Sequence, residues 1–341
     1  MLPPAPADTP LITLADVART ARVSKMTVSN VINGKPNVRP HTRQRVLDAI
    51  EATGYRVNPV ARALAGGRQR LLSVVARRSN LPYATEVIRG ASEAAETLDY
   101  DLVVMMIGGR ETSDLSLFLR LSQGALLVQP GRSGRLRPQD LPAHHVSVDG
   151  PSVDSLTVDN YAGACAAMQH LLALGHTRIA YVSGLLAPHG ERDDASERLR
   201  GYQDSVEAAQ LSLPDGYLQH ADYSSRSGEQ AARTLLALPE PPSAIFAAGD
   251  AMAVAVIHAA QDLGLRVPQD LSVVGFDDLP YFRGVRPALT TVRQPLDELG
   301  AEGVRMLVAL AEGQPAPLPP PFPTELIVRE STAPPPSPSS R

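Results

Sequence analysis

The 341-residue chain has a single cysteine, Cys165, no tryptophan and only 4% aromatic residues. One thiol cannot close an intrachain disulfide, and nothing in the cysteine usage asks for an oxidising compartment. No apolar run is long enough to span a bilayer, and the stretch Met1 to Pro10 carries neither a basic residue nor an apolar block, unlike a signal peptide. The expected location is therefore cytoplasmic. Catalytic signatures are missing as well: there is no Walker loop, no G-x-G-x-x-G after a strand, no G-x-S-x-G elbow and no histidine pair at metal spacing. His144 and His145 are adjacent and project in different directions, and the Asp277-Asp278 pair has no assignable acid or base partner. The chain is read as a non-enzyme without cofactor or metal.

A net charge of −4 looks wrong for a partner of nucleic acid until it is divided along the chain. Residues 1 to 70 hold eleven Lys or Arg against four Asp or Glu, a net of +7, which leaves −11 for the rest. A small basic head on a larger acidic body suits a head that meets phosphates. The length points to two or three domains.

From Thr13 to Tyr55 the sequence reads as three short helices. Thr13 with Asp16 forms a cap with an acid in the first turn, and Val17 and Ala18 begin the apolar face. After a break at Ala21-Arg22-Val23, Ser24 caps a second helix with Val28, Val31 and Ile32 inward, stopped by Asn33-Gly34. Pro40 opens a third, with Val46, Leu47 and Ile50 inward and Gly54 as its end. This is the helix-turn-helix plan. Asn58-Pro59 then starts a helical stretch of barely two turns through Leu64, closed by Gly66-Gly67 and too short to be stable alone.

Beyond Arg70 the texture becomes α/β. Leu71–Ala76, Leu102–Ile107, Ala125–Val128, Ile179–Val182, Ala244–Ala248 and Leu271–Phe276 are continuous apolar runs, as in parallel strands buried on both faces. Amphipathic helices are expected between them at Glu86–Leu98, Ala162–Leu174, Gly228–Leu238 and Met252–Leu263, giving a doubly wound body in two lobes. Thr324–Val328 reads as a last strand after the Pro-rich Gln314–Pro323. The organisation is a head over 1–57, a hinge and linker over 58–70, a body over 71–330 and a disordered Pro/Ser tail over 331–341.

The second helix points Lys25, Met26, Ser29 and Asn30 outward. Lys suits guanine O6 or N7, Asn pairs with adenine and Met meets a thymine methyl, so these four are the candidate base readers. Thr13, Thr27, Arg39, His41, Thr42 and Arg43 are candidates for phosphates. The same residues also suit a solvated helix face, and helix pattern alone does not separate the two.

Five linked motifs carry a resemblance: Ile12-Thr-Leu-Ala-Asp-Val-Ala, Val23-Ser-Lys-Met-Thr-Val-Ser-Asn-Val-Ile-Asn, Thr42-Arg-Gln-Arg-Val, Gly54-Tyr55 and Asn58-Pro-Val-Ala-Arg-Ala-Leu-Ala-Gly. In order and spacing they resemble the head and hinge of the lactose-repressor (LacI/GalR) family of transcription regulators, and the resemblance runs from about Ile12 to Glu330. It implies an all-α helix-turn-helix head on an α/β two-lobe, periplasmic-binding-protein-like body with three crossing strands. It further implies a repressor that binds a pseudo-palindromic double-stranded DNA operator as a homodimer, with a tetramer as the alternative, controlled by a small-molecule effector. The hinge would fold on DNA, with Leu64 wedged into the minor groove and Ala61 where two hinges meet. Arg22 stands where the family favours Gly, Arg39 where it favours a capping Ser, and Val57 where it favours Pro.

Ligands of open α/β sheets sit at the carboxyl ends of strands. The resemblance assigns effector contacts to Arg198 and Asp277, and to Tyr83 and Arg192 by likeness to purine-type relatives. Tyr223 offers a stacking face, and Asp250 is either a cap or a ligand group. The effector is a sugar, a sugar acid or a nucleoside-like molecule; lack of tryptophan removes the strongest sugar-stacking platform. The rival readings are a ligand-binding protein without DNA function and, more distantly, an enzyme.

Overall fold

The computed structural model describes residues 12–32, 34–55, 70–77, 81–107, 119, 121–129, 141–149, 155–186 and 193–336. Ala61, Leu64 and Arg192 lie outside them. The chain divides into two compact units, Met1–Gln69 and Arg70–Arg341.

The first unit carries three helices, α1 (Leu14–Ala21), α2 (Lys25–Ile32) and α3 (Pro40–Thr53). Helices of eight residues need help at their ends. At α1 the backbone N–H and hydroxyl of Thr13 both donate to the Asp16 carboxylate, at 2.9 and 2.7 Å, and hold that acid below its usual pKa. At α2 the Ser24 hydroxyl accepts the Thr27 N–H at 3.1 Å. Val17, Ala18, Ala21, Val28, Val31, Val46 and Ala49 form the core shared by the three. Leu47, expected to face inward, is 46% exposed. The buried stripe of α3 runs through Val46, Ala49 and Ile50 at i, i+3 and i+4, and Leu47 lies one residue step, about 100°, off it.

Two helices of this unit end identically. After α1 the Val23 N–H returns to Ala18 O (3.0 Å) and the Arg22 N–H to Arg19 O (3.2 Å); after α3 Tyr55 and Gly54 repeat the pattern onto Ile50 O and Glu51 O. The motif puts its pivot residue in the left-handed region. Gly54 enters it freely at φ 65°, whereas Arg22 occupies it at φ 50°, ψ 49°.

In the second unit the first lobe holds a parallel sheet of β1 (Leu71–Arg77), β2 (Asp101–Ile107), β3 (Gly124–Val128), β4 (His145–Val148) and β5 (Ser155–Leu156), in the order β2-β1-β3-β4-β5, with α4 (Leu81–Thr97) against it. The second lobe follows as α5 (Asn160–Ala173), β6 (Ile179–Ser183), α6 (Asp194–Ala208), β7 (Leu218–His220), α7 (Ser225–Leu236), β8 (Ala244–Ala247), α8 (Asp250–Asp262), β9 (Ser272–Asp277) and β10 (Thr290–Arg293). The chain then returns to the first lobe as α9 (Leu296–Ala311) and comes back as β11 (Glu325–Ile327), which pairs antiparallel with β10. The second sheet is ordered β11-β10-β9-β8-β6-β7.

Two glycines let α4 and α9 touch backbone to backbone: a Cβ on Gly90 would overlap the Asp297 carbonyl, and one on Gly300 the Val87 carbonyl. The lobes have separate cores, one built on Val74, Val87, Leu126 and Leu299, the other on Ile179, Phe246, Val274 and Phe276. Three passages of chain join them, as expected. Two are stitched together: the Phe322 N–H donates to Thr157 O at 2.9 Å and the Asp159 N–H to Phe322 O at 2.8 Å.

The expected disordered tail begins too early. Ser331 is fully buried, its hydroxyl donating to Val273 O at 2.6 Å. His176, also buried, donates from Nε2 to Ala333 O at 2.8 Å and accepts at Nδ1 from the Ser243 hydroxyl at 2.9 Å, the tautomer being set by the carbonyl. Side-chain to backbone bonds of this kind are not visible in a Pro/Ser composition.

A left-handed arginine costs about 1–2 kcal/mol, and glycine returns part of that through the entropy of the unfolded chain. Arg22→Gly should therefore stabilise the head by about 0.5–1 kcal/mol. Hydrogen exchange of the buried Ala18 and Val28 amides in the full chain should slow accordingly; unchanged exchange would contradict the assignment.

Candidate functional sites

On the head, Lys25 and Met26 stand at the start of α2, with Met26 69% exposed, and Ser29 and Asn30 follow one turn on, half-buried. The four share the side of α2 opposite Val28 and Val31. Thr13 and Thr27, expected at phosphates, have their hydroxyls engaged locally, with Asp16 and Ser24. Arg39 and His41 are exposed, and Thr42 lies within 3.2 Å of His41 Nε2. The Arg43 guanidinium donates to Lys35 O at 2.6 Å, which ties the segment after α2 to α3. Arg39 precedes α3 without offering it a side-chain cap.

In the second unit, three of the expected effector residues meet at the carboxyl ends of strands. Arg198, one turn into α6, is buried; Nε donates to Asn160 Oδ1 at 2.7 Å, Nη1 to Ala248 O at 2.6 Å, and the guanidinium lies 3.8 Å over the Phe276 ring. Asp277, at the end of β9, lies 3.6 Å from Nη1 and accepts from Gln294 Nε2 at 2.5 Å. Burial pushes the Asp277 carboxyl up to about 6 against the pull of Arg198. Tyr223 lies across the end of β6, where a Cβ on Gly184 would fall inside its ring.

Tyr83, on the first turn of α4, joins them indirectly. Its hydroxyl donates to Oδ2 of Asp149, which ends β4. The Asp149 and Asp194 carboxyls are hydrogen-bonded to each other, and burial followed by this acid neighbour drives Asp149 well above the usual carboxylate range. Two carboxyls can bond only through a shared proton. Asp194 in turn accepts from Thr157 at 3.0 Å and Asn160 at 2.9 Å. A polar chain thus runs from Tyr83 and Asp149 of the first lobe to Asp194, Asn160, Arg198 and Asp277 of the second.

Three members of this chain, Asp149, Asp194 and Gln294, were not among the expected site residues. Asp194 was within reach of sequence, since it precedes Arg198 by four and shares its helix face. The other two follow β4 and β10, strands of four residues with polar members that give no apolar run.

The neighbouring acids are structural. Asp278 pairs with Arg329 at 2.5 Å, Arg293 at 2.8 Å and Arg283 at 3.9 Å, so it does not form a working pair with Asp277. Asp250, the first residue of α8, accepts from the Leu279 N–H at 2.8 Å and the Thr291 hydroxyl at 2.5 Å. Backbone strain concentrates here: Gln129, Asp149, Tyr223, Asp277 and Asp278 all have positive φ, up to 119° at Asp277. Each such residue costs about 1–3 kcal/mol and persists where the surroundings enforce it. No group of three or more His, Cys, Asp or Glu among the described residues is placed to hold a metal. No described helix is long and apolar enough to cross a membrane.

Two predictions follow from this geometry. Gly184→Ala must displace the Tyr223 ring while leaving the sheet in place, so effector affinity should fall at least tenfold, about 1.4 kcal/mol, with a melting temperature within a few degrees of the parent; unchanged affinity would remove Tyr223 from the site. The second concerns pH. A carboxyl whose folded pKa is raised binds more protons folded than unfolded, so its stability contribution is complete below about pH 3.8 and lost as pH rises through the raised value. Asp149→Asn removes that loss, and its amide supplies the donor Asp194 needs. The variant should melt above the parent at pH 7.5 by a margin that shrinks towards pH 4.5; a margin independent of pH would rule out the shared proton.

Comparison with known proteins agrees with both sites. Residues 13–58 match the model of bacterial regulatory proteins of the lacI family, and residues 168–332 the periplasmic binding protein-like domain. The chain is 37% identical over 307 residues to catabolite control protein A of Priestia megaterium, covering 87% of this chain and 91% of that one. It is 34% identical over 310 residues to the ribose operon repressor of Escherichia coli strain K12, covering 87% and 92%. Among solved structures, a lac repressor dimer bound to operator and the anti-inducer ONPF superposes with a TM-score of 0.77 at 28% identity, covering 94% of this chain and 99% of that one. The complex of the transcriptional regulator CelR with cellobiose gives 0.67 at 30% identity over the same shares. With a helix-turn-helix head, a two-lobe α/β body and relatives of this identity over nearly their whole length, the chain belongs to the LacI family of DNA-binding transcriptional regulators.

Proposed function

We propose that this protein is a cytoplasmic repressor that binds a pseudo-palindromic operator as a homodimer and is controlled by a small molecule held between its lobes. The observation that carries this reading is the polar chain from Tyr83 to Asp277, which links both lobes through buried, strained residues that no catalytic role explains. Relatives of the same architecture are described with operator and anti-inducer, or with cellobiose.

On the head, Lys25, Met26, Ser29 and Asn30 read bases, one α2 per half-site. Arg39, His41 and Thr42 hold phosphates, with Thr13, Thr27 and Arg43 supporting them. Arg43 combines two duties, since a guanidinium has five donors and Lys35 O takes one. Ala61 and Leu64 complete the DNA contact through the minor groove. In the body, Arg198, Asp277, Tyr223 and Tyr83, with Arg192, surround the effector. Because C2 pairing is isologous, the operator is near-palindromic. An effector that prefers one lobe arrangement changes DNA affinity by the same coupling free energy that DNA exerts on it.

The test separates the two sites. Asn30→Ala should relax preference at one operator position per half-site, at a cost of about 1–3 kcal/mol, whereas Arg198→Ala should leave operator affinity within twofold and abolish the effector response. Fluorescence anisotropy on a selected operator, with and without metabolites that raise the melting temperature, reads both. No preference for any duplex over random competitor at moderate salt would remove the reading altogether.

A further inference from the structure

The chemistry of the cleft narrows the class of ligand, an inference that rests on the effector reading above. Among the described residues, one cation, Arg198, serves three acids, Asp149, Asp194 and Asp277. Two of its nitrogens are already spent, on Asn160 and on the Ala248 carbonyl. Asp278 takes its compensation from Arg283, Arg293 and Arg329. The site is therefore over-supplied with negative charge and sealed from the water that would disperse it.

The orphaned atoms point the same way. Gln294 is 4% exposed, and its Nε2 is used by Asp277 while Oε1 has no partner. Asp149 Oδ1 is buried and receives no N–H or O–H. Tyr181, wholly buried beneath Tyr202 and Phe246, has an unpartnered hydroxyl on the side of Arg198 and Tyr223. Amide and carboxylate oxygens accept only, so a molecule that completes this site must bring donors. A carboxylate or phosphate brings acceptors and more negative charge. Hydroxyl groups on a ring bring donors without charge, and the Tyr223 face over Gly184 receives the ring's C–H side.

We infer that the ligand is an uncharged polyhydroxyl compound whose hydroxyls donate to Asp149 and Gln294 and replace the direct contact between Asp149 and Asp194, and that its carboxylated and phosphorylated analogues are rejected. Titration calorimetry on the full-length protein tests this with glucose, xylose, ribose and cellobiose beside glucuronate, gluconate, glucose 6-phosphate and glucosamine. The expected result is binding of at least one neutral sugar, with acids and phosphates at least a hundredfold weaker, and a gap that narrows about tenfold in Asp194→Asn. Tightest binding by an acid or phosphate, or by glucosamine, overturns the inference; if Arg198→Ala or Arg192→Ala abolishes that binding, the effector site itself stands. Binding by no member of the panel also overturns it, and the fate of the regulatory reading is then decided separately by operator competition.

Discussion

A guanidinium sealed inside a protein is tolerable only where every acid around it is accounted for, and Arg198 is the point on which the second unit is arranged. It draws together the ends of β8 and β9, the start of α5 and, through Asn160 and Asp194, the segment by which the chain passes between lobes. Truncating it would leave Asp277, Asp194 and Asn160 without their common partner. Removing one member of a buried charged set commonly costs about 3–5 kcal/mol, so this arginine shapes the fold around the cleft as well as the cleft's chemistry.

The site departs from what stability alone would select. Five non-glycine residues at or just beyond strand ends hold positive φ, and two carboxyls approach each other where apolar side chains would pack at no electrostatic cost. Elsewhere the chain obeys the ordinary rules: helices are capped by Thr13, Ser24, Asp159, Asp193 and Ser224, and both lobe cores are aliphatic. Strain and uncompensated charge confined to one locality mark a place where a binding requirement outweighs folding.

How much of this could be read from sequence depended on the length of each signal. The six long apolar runs and the caps of α1 and α2 announce themselves, and Arg198 and Asp277 came from motifs of fixed spacing. Strands β4, β5, β7 and β10, two to four residues each, lack the length to register, and with them went Asp149 and Gln294. Leu47 was misplaced because an apolar residue beside a helix's buried stripe looks the same in sequence as one within it. The His176 clasp on Ala333 joins positions 157 residues apart, beyond any local pattern.

The Asp149–Asp194 contact also bears on how a small molecule can influence a distant DNA head. A ligand shifts an equilibrium only by the difference in its affinity for the two states, commonly 1–3 kcal/mol. Had a full ion pair clamped the lobes at this point, a ligand would first have to overcome it. A contact between two acids that depends on one proton is weak at neutral pH, so the lobe arrangement it supports lies close in free energy to its alternatives. Donors from a ligand then decide the balance, and the modest interactions available to a few hydroxyls become sufficient for regulation.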